Sequence, residues 1–270
     1  MNLLLKASLI CLILLLNACG DNAPVTTDAA PKPKDSTAQL AEFAPKPPAA
    51  GSYSAGDLLY PWVDQLNVRE APNTEAKRIG KALKGQSITL SGEKTEKRET
   101  FVLRGVAYDD YWIKVTTKDK TEGWVFAAAL KREGDYKGNA VISDTRFNFQ
   151  AFGDFDLNEW EKKTTEESDG GDAESNTTTY QKGDQILEID LTEMGDYGYY
   201  YTYKLTSTSG DLQKERTFRF SVDPDLLLEE TVTDHLAGKK YVRSQPMSKH
   251  FAQLNARPLM ASGEWTITEL

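Results

Sequence analysis

The 270-residue sequence has a net charge of −9, because 41 acidic side chains outnumber 32 basic ones. Residues 60–132 carry 14 basic and 10 acidic side chains, giving +4, whereas residues 133–270 carry 14 and 26, giving −12. Nucleic-acid binding needs a concentrated basic face, so this distribution argues against a nucleic-acid partner. Two histidines are too few for the clustered ligands of a zinc enzyme, and no glycine-rich nucleotide loop or G-x-S-x-G elbow occurs. We therefore expect no metal site, no cofactor and no catalytic residues.

The amino-terminal residues have the features of a secretory leader. Lys6 supplies a positive charge, an apolar run covers residues 9–16, and the small residue Ala18 follows. The apolar run is shorter than the roughly 20 residues that a membrane-spanning helix needs. The leader is therefore expected to be removed rather than to stay as a membrane helix.

The end of the leader carries a more specific motif. Leu16-Asn17-Ala18-Cys19 resembles the bacterial lipobox, which implies a signal peptide over residues 1–18 and lipidation of the Cys19 thiol. Acyl chains contribute about 0.8 kcal/mol per buried methylene, so the resemblance implies a membrane partner through a lipid anchor. In enteric bacteria an Asp after the lipidated cysteine favours retention in the inner membrane, and here that position is Gly20. The absence of Asp favours the outer membrane, on its periplasmic or surface face. The alternative is an ordinary signal peptide followed by a chance cysteine.

Residues 19–56 are predicted to be a disordered tether. The segment is rich in Ala, Pro, Thr, Asp and Lys and has few large apolar side chains. Such a composition cannot bury enough surface to offset the entropy of ordering the chain. The tether would hold the folded part away from the membrane.

From about Tyr60 the sequence changes to short alternating apolar runs bounded by Gly, Asp and Asn, which is typical of an all-β protein. The runs Leu66-Asn67-Val68-Arg69, Trp112-Ile113-Lys114-Val115 and Gly123-Trp124-Val125 occur in an order that resembles a bacterial SH3-like domain, here over residues 57–132, of the kind found in exported Bacteroidetes lipoproteins. The resemblance implies a small barrel that binds peptidoglycan peptides or protein partners. The apolar positions expected to point inward are Val68, Ile79, Leu83, Ile88, Leu90, Ile113, Val115 and Val125.

This module departs from the family pattern between Gly92 and Tyr111. The additional residues predict a hairpin with Arg104-Gly105 at its turn, where Gly105 supplies a positive φ. The edge of that hairpin is a candidate docking site for a partner, and an ornament without function is the alternative. The ligand-binding candidates of this module are Tyr108, Tyr111 and Trp112, with core packing as the alternative for Trp112 and Trp124.

Residues 139–270 are predicted to form a second β-rich domain, a β-sandwich or a curved antiparallel sheet. Tyr197, Tyr199, Tyr201 and Tyr203 alternate along one predicted strand and face Phe218 and Phe220 on the next. The row is either a half-buried sheet face under a cover or an exposed aromatic platform that stacks sugar rings, so these four tyrosines are also ligand-binding candidates. Further strands are predicted at residues 177–181, 185–192, 241–244 and 265–268, and a helix at 157–163. The acidic segment 169–176 lacks EF-hand spacing and is interpreted as a solvated loop rather than a calcium site.

The functional hypothesis is a non-enzymatic, lipid-anchored protein of the cell envelope. Its SH3-like module would bind peptidoglycan peptides or an envelope protein. The alternative is a carboxylate-dependent glycan hydrolase carried on an SH3-like targeting module, with its two catalytic carboxylates in residues 139–270.

Overall fold

The computed structural model of the protein describes residues 53–135, 137–222, 225–249 and 253–270. The regular elements of these residues are β-strands and three short 3-10 turns, so the predicted all-β class is confirmed. None of the helical turns in the described ranges has the length and apolarity to cross a membrane. The predicted signal peptide, Cys19 and the tether as far as residue 52 lie outside the described residues.

The first part of the fold is a seven-stranded sheet with an inserted hairpin. The sheet has the order β3-β2-β8-β7-β4-β1-β9, and the hairpin consists of β5 and β6. The elements are β1 (Leu58–Pro61), β2 (Gln65–Arg69), β3 (Arg78–Leu83), β4 (Ile88–Lys94), β5 (Glu99–Leu103), β6 (Val106–Asp110), β7 (Trp112–Thr116), β8 (Glu122–Phe126), a 3-10 turn (Ala127–Ala129) and β9 (Leu130–Lys131).

The second part is dominated by an eight-stranded antiparallel sheet, one of the two predicted architectures. Its order is β13-β14-β15-β16-β17-β18-β19-β21, and β10, β11 and β12 form a separate three-stranded sheet. The elements are β10 (Val141–Ser143), β11 (Arg146–Phe149), β12 (Gly153–Asp156), a 3-10 turn (Leu157–Glu159), β13 (Glu161–Asp169), β14 (Glu174–Lys182), β15 (Gln185–Glu193), a 3-10 turn (Gly195–Tyr197), β16 (Gly198–Ser207), β17 (Leu212–Ser221), β18 (Leu227–Asp234), β19 (Lys239–Pro246), β20 (Met260–Ala261) and β21 (Thr266–Glu269).

Two sequence predictions for this part are wrong. The helix predicted over residues 157–163 is a single 3-10 turn, closed by the Asp156 side chain that accepts a hydrogen bond from the Asn158 amide at 3.1 Å, and β13 begins directly afterwards at Glu161. Tyr197 lies in the 3-10 turn before β16 and not on the strand, because the chain enters β16 through Gly198. The strands predicted at 177–181, 185–192, 241–244 and 265–268 correspond to β14, β15, β19 and β21.

The barrel core follows the predicted alternation except on β3. Val68 on β2 is opposite Gly80 and Leu66 is opposite Ala82, so the even-numbered residues of β3 point inward. Ile79 and Leu83, which were predicted to be core residues, therefore point outward and are exposed. The other predicted positions are buried, namely Val68, Ile88, Leu90, Ile113, Val115 and Val125.

The inserted hairpin is confirmed, but its role differs from both sequence interpretations. Arg104 and Gly105 have φ values of 52° and 77°, as a two-residue hairpin turn with two left-handed residues requires. The edge of β6 is not free for an external partner, because it pairs in parallel with β20 of the same chain. The side chain of Asn255 also accepts from the Val102 amide at 2.9 Å and donates to the Val102 carbonyl at 3.0 Å. The hairpin thus joins the barrel to the second part of the fold.

One hydrophobic core is shared by the two parts. Its barrel and hairpin members pack in the same cluster as residues of β11, β15, β16, β18 and β19. Only one face of the large sheet is covered, as the strict alternation of buried and outward-facing residues in β18 and β19 indicates. The buried members include Trp62, Phe101, Tyr108, Trp112, Phe126, Phe149, Phe152, Leu187, Tyr203, Leu205, Val232 and Met260.

A cluster of three buried charged side chains lies on the covered face of the large sheet. Glu230 is fully buried and accepts hydrogen bonds from Arg216 Nε at 2.8 Å and from Arg243 Nη2 at 2.6 Å. Arg216 also donates to the Leu259 carbonyl, and Arg243 to the Gly263 carbonyl at 3.2 Å. The cluster therefore ties the carboxyl-terminal segment to the inner face of the large sheet.

Candidate functional site

The three aromatic candidates of the barrel point in different directions. Tyr108 and Trp112 are buried between the barrel and the large sheet, where the Tyr108 hydroxyl donates to the Gly138 carbonyl at 3.0 Å and Trp112 Nε1 donates to Glu99 at 2.8 Å. This burial supports core packing, the alternative interpretation for Trp112. Tyr111 lies between β6 and β7, is half buried, and packs its ring against the edge of the barrel core. Of the three, Tyr111 is the one whose side chain reaches the surface.

Two cationic side chains lie over the Tyr111 ring. Lys94 Nζ is 4.4 Å from the ring centroid and the Arg98 guanidinium carbon is 5.2 Å from it, both within the range of a cation–π interaction. The nearest carboxylate to Arg98 is that of Asp109, at 3.8 Å. Among the described residues Lys94 forms no ion pair. Much of the positive charge around the ring is therefore available to a ligand.

Backbone contacts of the β4–β5 loop position these cations. Thr95 donates its amide to the Trp112 carbonyl at 2.9 Å, and its hydroxyl accepts from the Trp112 amide at 3.1 Å. The same hydroxyl lies 2.8 Å from the Lys97 carbonyl, to which it donates. The loop that runs from Lys94, the last residue of β4, to Arg98 is thereby fixed to the start of β7, the strand that follows Tyr111.

A partly buried group of titratable side chains borders Tyr111. The Tyr53 hydroxyl donates to Asp110 at 3.1 Å, and the Tyr111 amide donates to the same carboxylate at 2.9 Å. Burial raises the pKa of Asp110 despite these hydrogen bonds and the charges of Lys137 and Arg98. Burial lowers the pKa of Lys137, which Asp110 and Asp135 partly offset, and burial followed by Asp110 raises the pKa of Tyr53.

We call Tyr111, Lys94, Arg98, Asp110 and Lys137 the Tyr111 patch. Its one carboxylate is already hydrogen bonded. Two of its cations, Lys94 and Arg98, lie over the Tyr111 ring, whereas Lys137 lies over the buried ring of Tyr108, 5.5 Å from its centroid. A surface of this kind suits a ligand that carries carboxylates next to apolar or planar groups. Tyr53, at the end of the predicted tether, contacts the patch directly, so residues from 53 onward belong to the folded part.

The tyrosine row of the large sheet is mostly covered. Tyr199 and Tyr203 are buried, and the Tyr199 hydroxyl donates to the Pro258 carbonyl at 2.8 Å. Tyr201, between them, is half buried and stacks on Tyr203 with ring centroids 6.1 Å apart. Tyr197 is exposed but lies apart from the row in its 3-10 turn. This arrangement supports the interpretation of a sheet face under a cover.

Carboxylates gather near the turn between β13 and β14, within residues 139–270, the part to which the hydrolase alternative assigned its acid and base. Glu167, Asp169, Glu174 and Glu193 line an open groove there, together with Asn176 and Leu191. Arg257 forms an ion pair with Glu193 at 2.6 Å and lowers the pKa of that carboxyl. A general acid of a glycosidase needs a raised pKa to stay protonated, whereas the lowered pKa of Glu193 favours the ionised carboxylate. No group of three His, Cys, Asp or Glu side chains suited to a metal occurs in the described part of the chain.

Sequence reasoning named Tyr111 but missed the residues around it. Lys94 and Arg98 belong to the segment that was recognised as additional to the family pattern, and their positive charge was the available signal. Asp110 directly precedes Tyr111 in the sequence, so adjacency was its signal. Tyr53 and Lys137 carried none, because their proximity to Asp110 depends on how the tether end and the loop after β9 pack against the barrel.

Comparison with known proteins supports the assignment of the barrel. Neither the curated proteins nor the solved structures contain a significant match to this chain. A family model does match, over about a quarter of the 270 residues. Residues 64–131, which include the inserted hairpin and Tyr111, match the model of the bacterial SH3 domain.

Proposed function

We propose that the protein is a lipid-anchored, non-enzymatic component of the cell envelope whose Tyr111 patch binds the acidic stem peptides of peptidoglycan. The observation that carries the proposal is the pair of cations over a surface tyrosine in a domain that matches the bacterial SH3 model. Bacterial SH3 domains are a module type associated with binding peptidoglycan or proteins. The leader motif ending in Cys19 supports exposure of the domain to the cell wall.

Chemical complementarity favours a stem peptide. Stem peptides are short and carry free carboxylates, so they match a surface that offers positive charge. Arg98 can hold a carboxylate with two parallel N–H donors, while Lys94 acts as a point charge. The basic character of residues 60–132, with a net charge of +4, attracts the same ligand.

A sedimentation assay with purified sacculi tests this function. The protein should start at Gly20, which removes the lipidation site but keeps Tyr53 and its contact with Asp110. We expect retention at physiological salt, and release by soluble stem peptides but not by the same peptides with amidated carboxylates.

Variants locate the binding site. Lys94→Glu combined with Arg98→Glu should weaken retention by about tenfold or more, because two attractions become repulsions. The matched control is Lys118→Glu with Lys120→Glu, which makes the same charge change at the far end of β7, in the exposed turn before β8. Wild-type protein that stays in solution, or a control that weakens retention equally, would contradict the proposal. Recovery of a crosslinked envelope protein that depends on Lys94 and Arg98 would instead identify a protein ligand.

The anchor is tested separately by growth with a clickable palmitate. We expect the full-length chain to be labelled and to fractionate with membranes, and Cys19→Ser to lose both properties. An unlabelled wild-type chain would refute the lipid anchor without affecting the binding experiment.

A further inference from the structure

The large sheet has an uncovered edge at β13. This nine-residue strand pairs with β14 on one side and is the outermost strand of the sheet on the other, and all nine of its residues are exposed. An edge of this length presents unpaired N–H and C=O groups that can pair with another strand. The nine residues contain no proline that would interrupt such pairing.

The register of β13 with β14 determines which way its side chains face. Lys162, Thr165 and Glu167 are opposite Tyr180, Thr178 and Asn176, and so they lie on the covered side of the sheet. Glu161, Thr164, Glu166 and Ser168 are opposite Gln181, Thr179, Thr177 and Ser175, on the uncovered side. Lys163 is the extra residue of a bulge between Lys162 and Thr164, and it forms an ion pair with Glu161 at 2.5 Å.

Two copies can extend the sheet by pairing β13 with β13 in antiparallel orientation. The two-fold axis is then perpendicular to the sheet, opposed residues face the same side, and the central residue is opposite its own copy. The register is counted without Lys163, the extra residue of the bulge. With Thr165 at the axis, Lys162 of each copy is opposite Glu167 of the other copy. Thr164 is then opposite Glu166, and Glu161 is opposite Ser168. Centring on Glu166 places two glutamates against each other at the axis, and centring on Thr164 places Glu161 against Glu166. Thr165 is therefore the central residue that avoids opposed like charges.

We propose that the protein forms a two-fold dimer through β13, with Thr165 at the axis and Lys162 paired with Glu167 of the second copy. Two eight-stranded sheets join into one continuous sheet in this dimer. The interface is small and polar, so the free protein associates weakly. Attachment of both copies to one membrane raises their effective concentration and favours the dimer.

Charge reversal tests the pairing, with sedimentation velocity on the chain from Gly20 as the measurement. Lys162→Glu and Glu167→Lys should each weaken dimerisation by about tenfold or more, because each creates two like-charge pairs. An equimolar mixture of the two variants should dimerise again, since both cross-strand pairs are then of opposite charge. Lys240→Glu, an exposed residue of β19, is the matched control and should leave the dimer unchanged. A wild-type chain that stays monomeric at millimolar concentration, or a mixture that fails to recover, overturns the proposal.

A cysteine experiment tests the register independently. The chain from Gly20 contains no natural cysteine, so Thr165→Cys introduces a single thiol. Opposed residues of antiparallel strands have Cβ atoms roughly 4.5–5.5 Å apart, close enough for oxidation or a short bis-maleimide to link the introduced thiols of two copies after modest adjustment. Ser168→Cys lies on the same exposed strand but about 20 Å from its copy in this register, so it should not crosslink. Equal crosslinking of both variants would indicate random collision and would refute the dimer.

Discussion

At the residue scale, three buried charged side chains hold the carboxyl-terminal segment against the large sheet. Glu230 accepts from both Arg216 and Arg243, and all three side chains are almost completely excluded from solvent. Removal of one member of such a cluster leaves uncompensated charge in the interior, which costs far more than the net contribution of the pair. The two arginines also bind the carbonyls of Leu259 and Gly263, so the loss would loosen the carboxyl-terminal segment.

Glu230→Gln should lower the free energy of unfolding by about 3–5 kcal/mol, because the two buried arginines would lose their counter-charge. Urea denaturation followed by circular dichroism measures this change. Arg146→Ala is the comparison, since it breaks an exposed ion pair with Asp154 of 2.8 Å and should destabilise the protein far less than Glu230→Gln does. Equal losses in the two variants would show that burial of the charges is not the cause.

The carboxyl of Asp110 makes stability depend on pH in a defined direction. Burial raises its pKa in the folded protein, so the folded state binds a proton more readily than the unfolded state does. The charged form therefore destabilises the fold above the raised pKa, and this penalty disappears as the pH falls toward the ordinary value of 3.8.

Asp110→Asn removes this titration and retains an oxygen for the Tyr53 and Tyr111 donors. We expect the variant to gain stability relative to wild type at pH 7 and to lose that advantage as the pH approaches 4. Denaturant unfolding at several pH values measures the difference. Asp154→Asn, in an exposed position, serves as the control. An advantage of Asp110→Asn that is constant over this range would contradict the assignment.

At the element scale, the start of β16 depends on a residue without a side chain. Gly198 has a φ of 119°, and a Cβ added there would lie 2.0 Å from the carbonyl oxygen of Phe220 on β17. Strand β16 is in the middle of the large sheet and carries Tyr199, Tyr201 and Tyr203, so a displacement here would disturb the shared core.

Gly198→Ala should therefore destabilise the protein by more than about 3 kcal/mol, because left-handed strain and a backbone collision add together. Gly183→Ala is the matched control. Gly183 also has a positive φ, of 60°, but its Cβ would meet no atom within 4 Å, so the expected cost is about 1 kcal/mol. Thermal unfolding of the two variants checks the contrast, and similar melting temperatures would show that the close approach to Phe220 does not matter.

Alternation of apolar residues predicted β16 and β17 of the large sheet, since one covered face imposes a period of two on its strands. Strands β13 and β18 were not predicted. The alternation failed where local chemistry dominated. The Asp156 side chain closes a turn that the sequence pattern does not separate from the start of a helix. On β3, small residues rather than Ile79 and Leu83 point inward, because Gly80 and Ala82 lie opposite Val68 and Leu66.

At the scale of the whole molecule, the sequence indicated two modules but not that they share a core. The contacts that join them, such as Val106 with Met260 or Thr100 with Ser248, link residues about 150 positions apart. Apolar character alone predicts that Tyr108 and Trp112 are buried or bind a ligand, and it does not identify the surface that covers them. The same limitation explains why Tyr111 could be named as a candidate while Tyr53 and Lys137, which interact with the adjacent Asp110, could not.

A shared core has a consequence for stability. We expect the chain from Gly20 to unfold in one transition, with coincident curves from circular dichroism and from the fluorescence of Trp62, Trp112 and Trp124 after the other two tryptophans are replaced by Phe. Phe218 is a fully buried residue of β17 in the large sheet. Phe218→Ala should lower the unfolding midpoint that the fluorescence of the barrel tryptophans reports, because the barrel depends on the sheet to bury its outer aromatic residues.

The barrel alone, residues 53–135, should accordingly fail to form a stable fold. Separation from the sheet would expose Trp62, Phe101, Tyr108, Trp112 and Phe126, a patch far larger and more apolar than soluble domains normally present. We expect this fragment to bind 8-anilinonaphthalene sulfonate and to aggregate, and the addition of the remaining chain to suppress both effects. A fragment that unfolds cooperatively at the midpoint of the intact protein would show instead that the two parts are independent, and that the inserted hairpin contributes contact without stability.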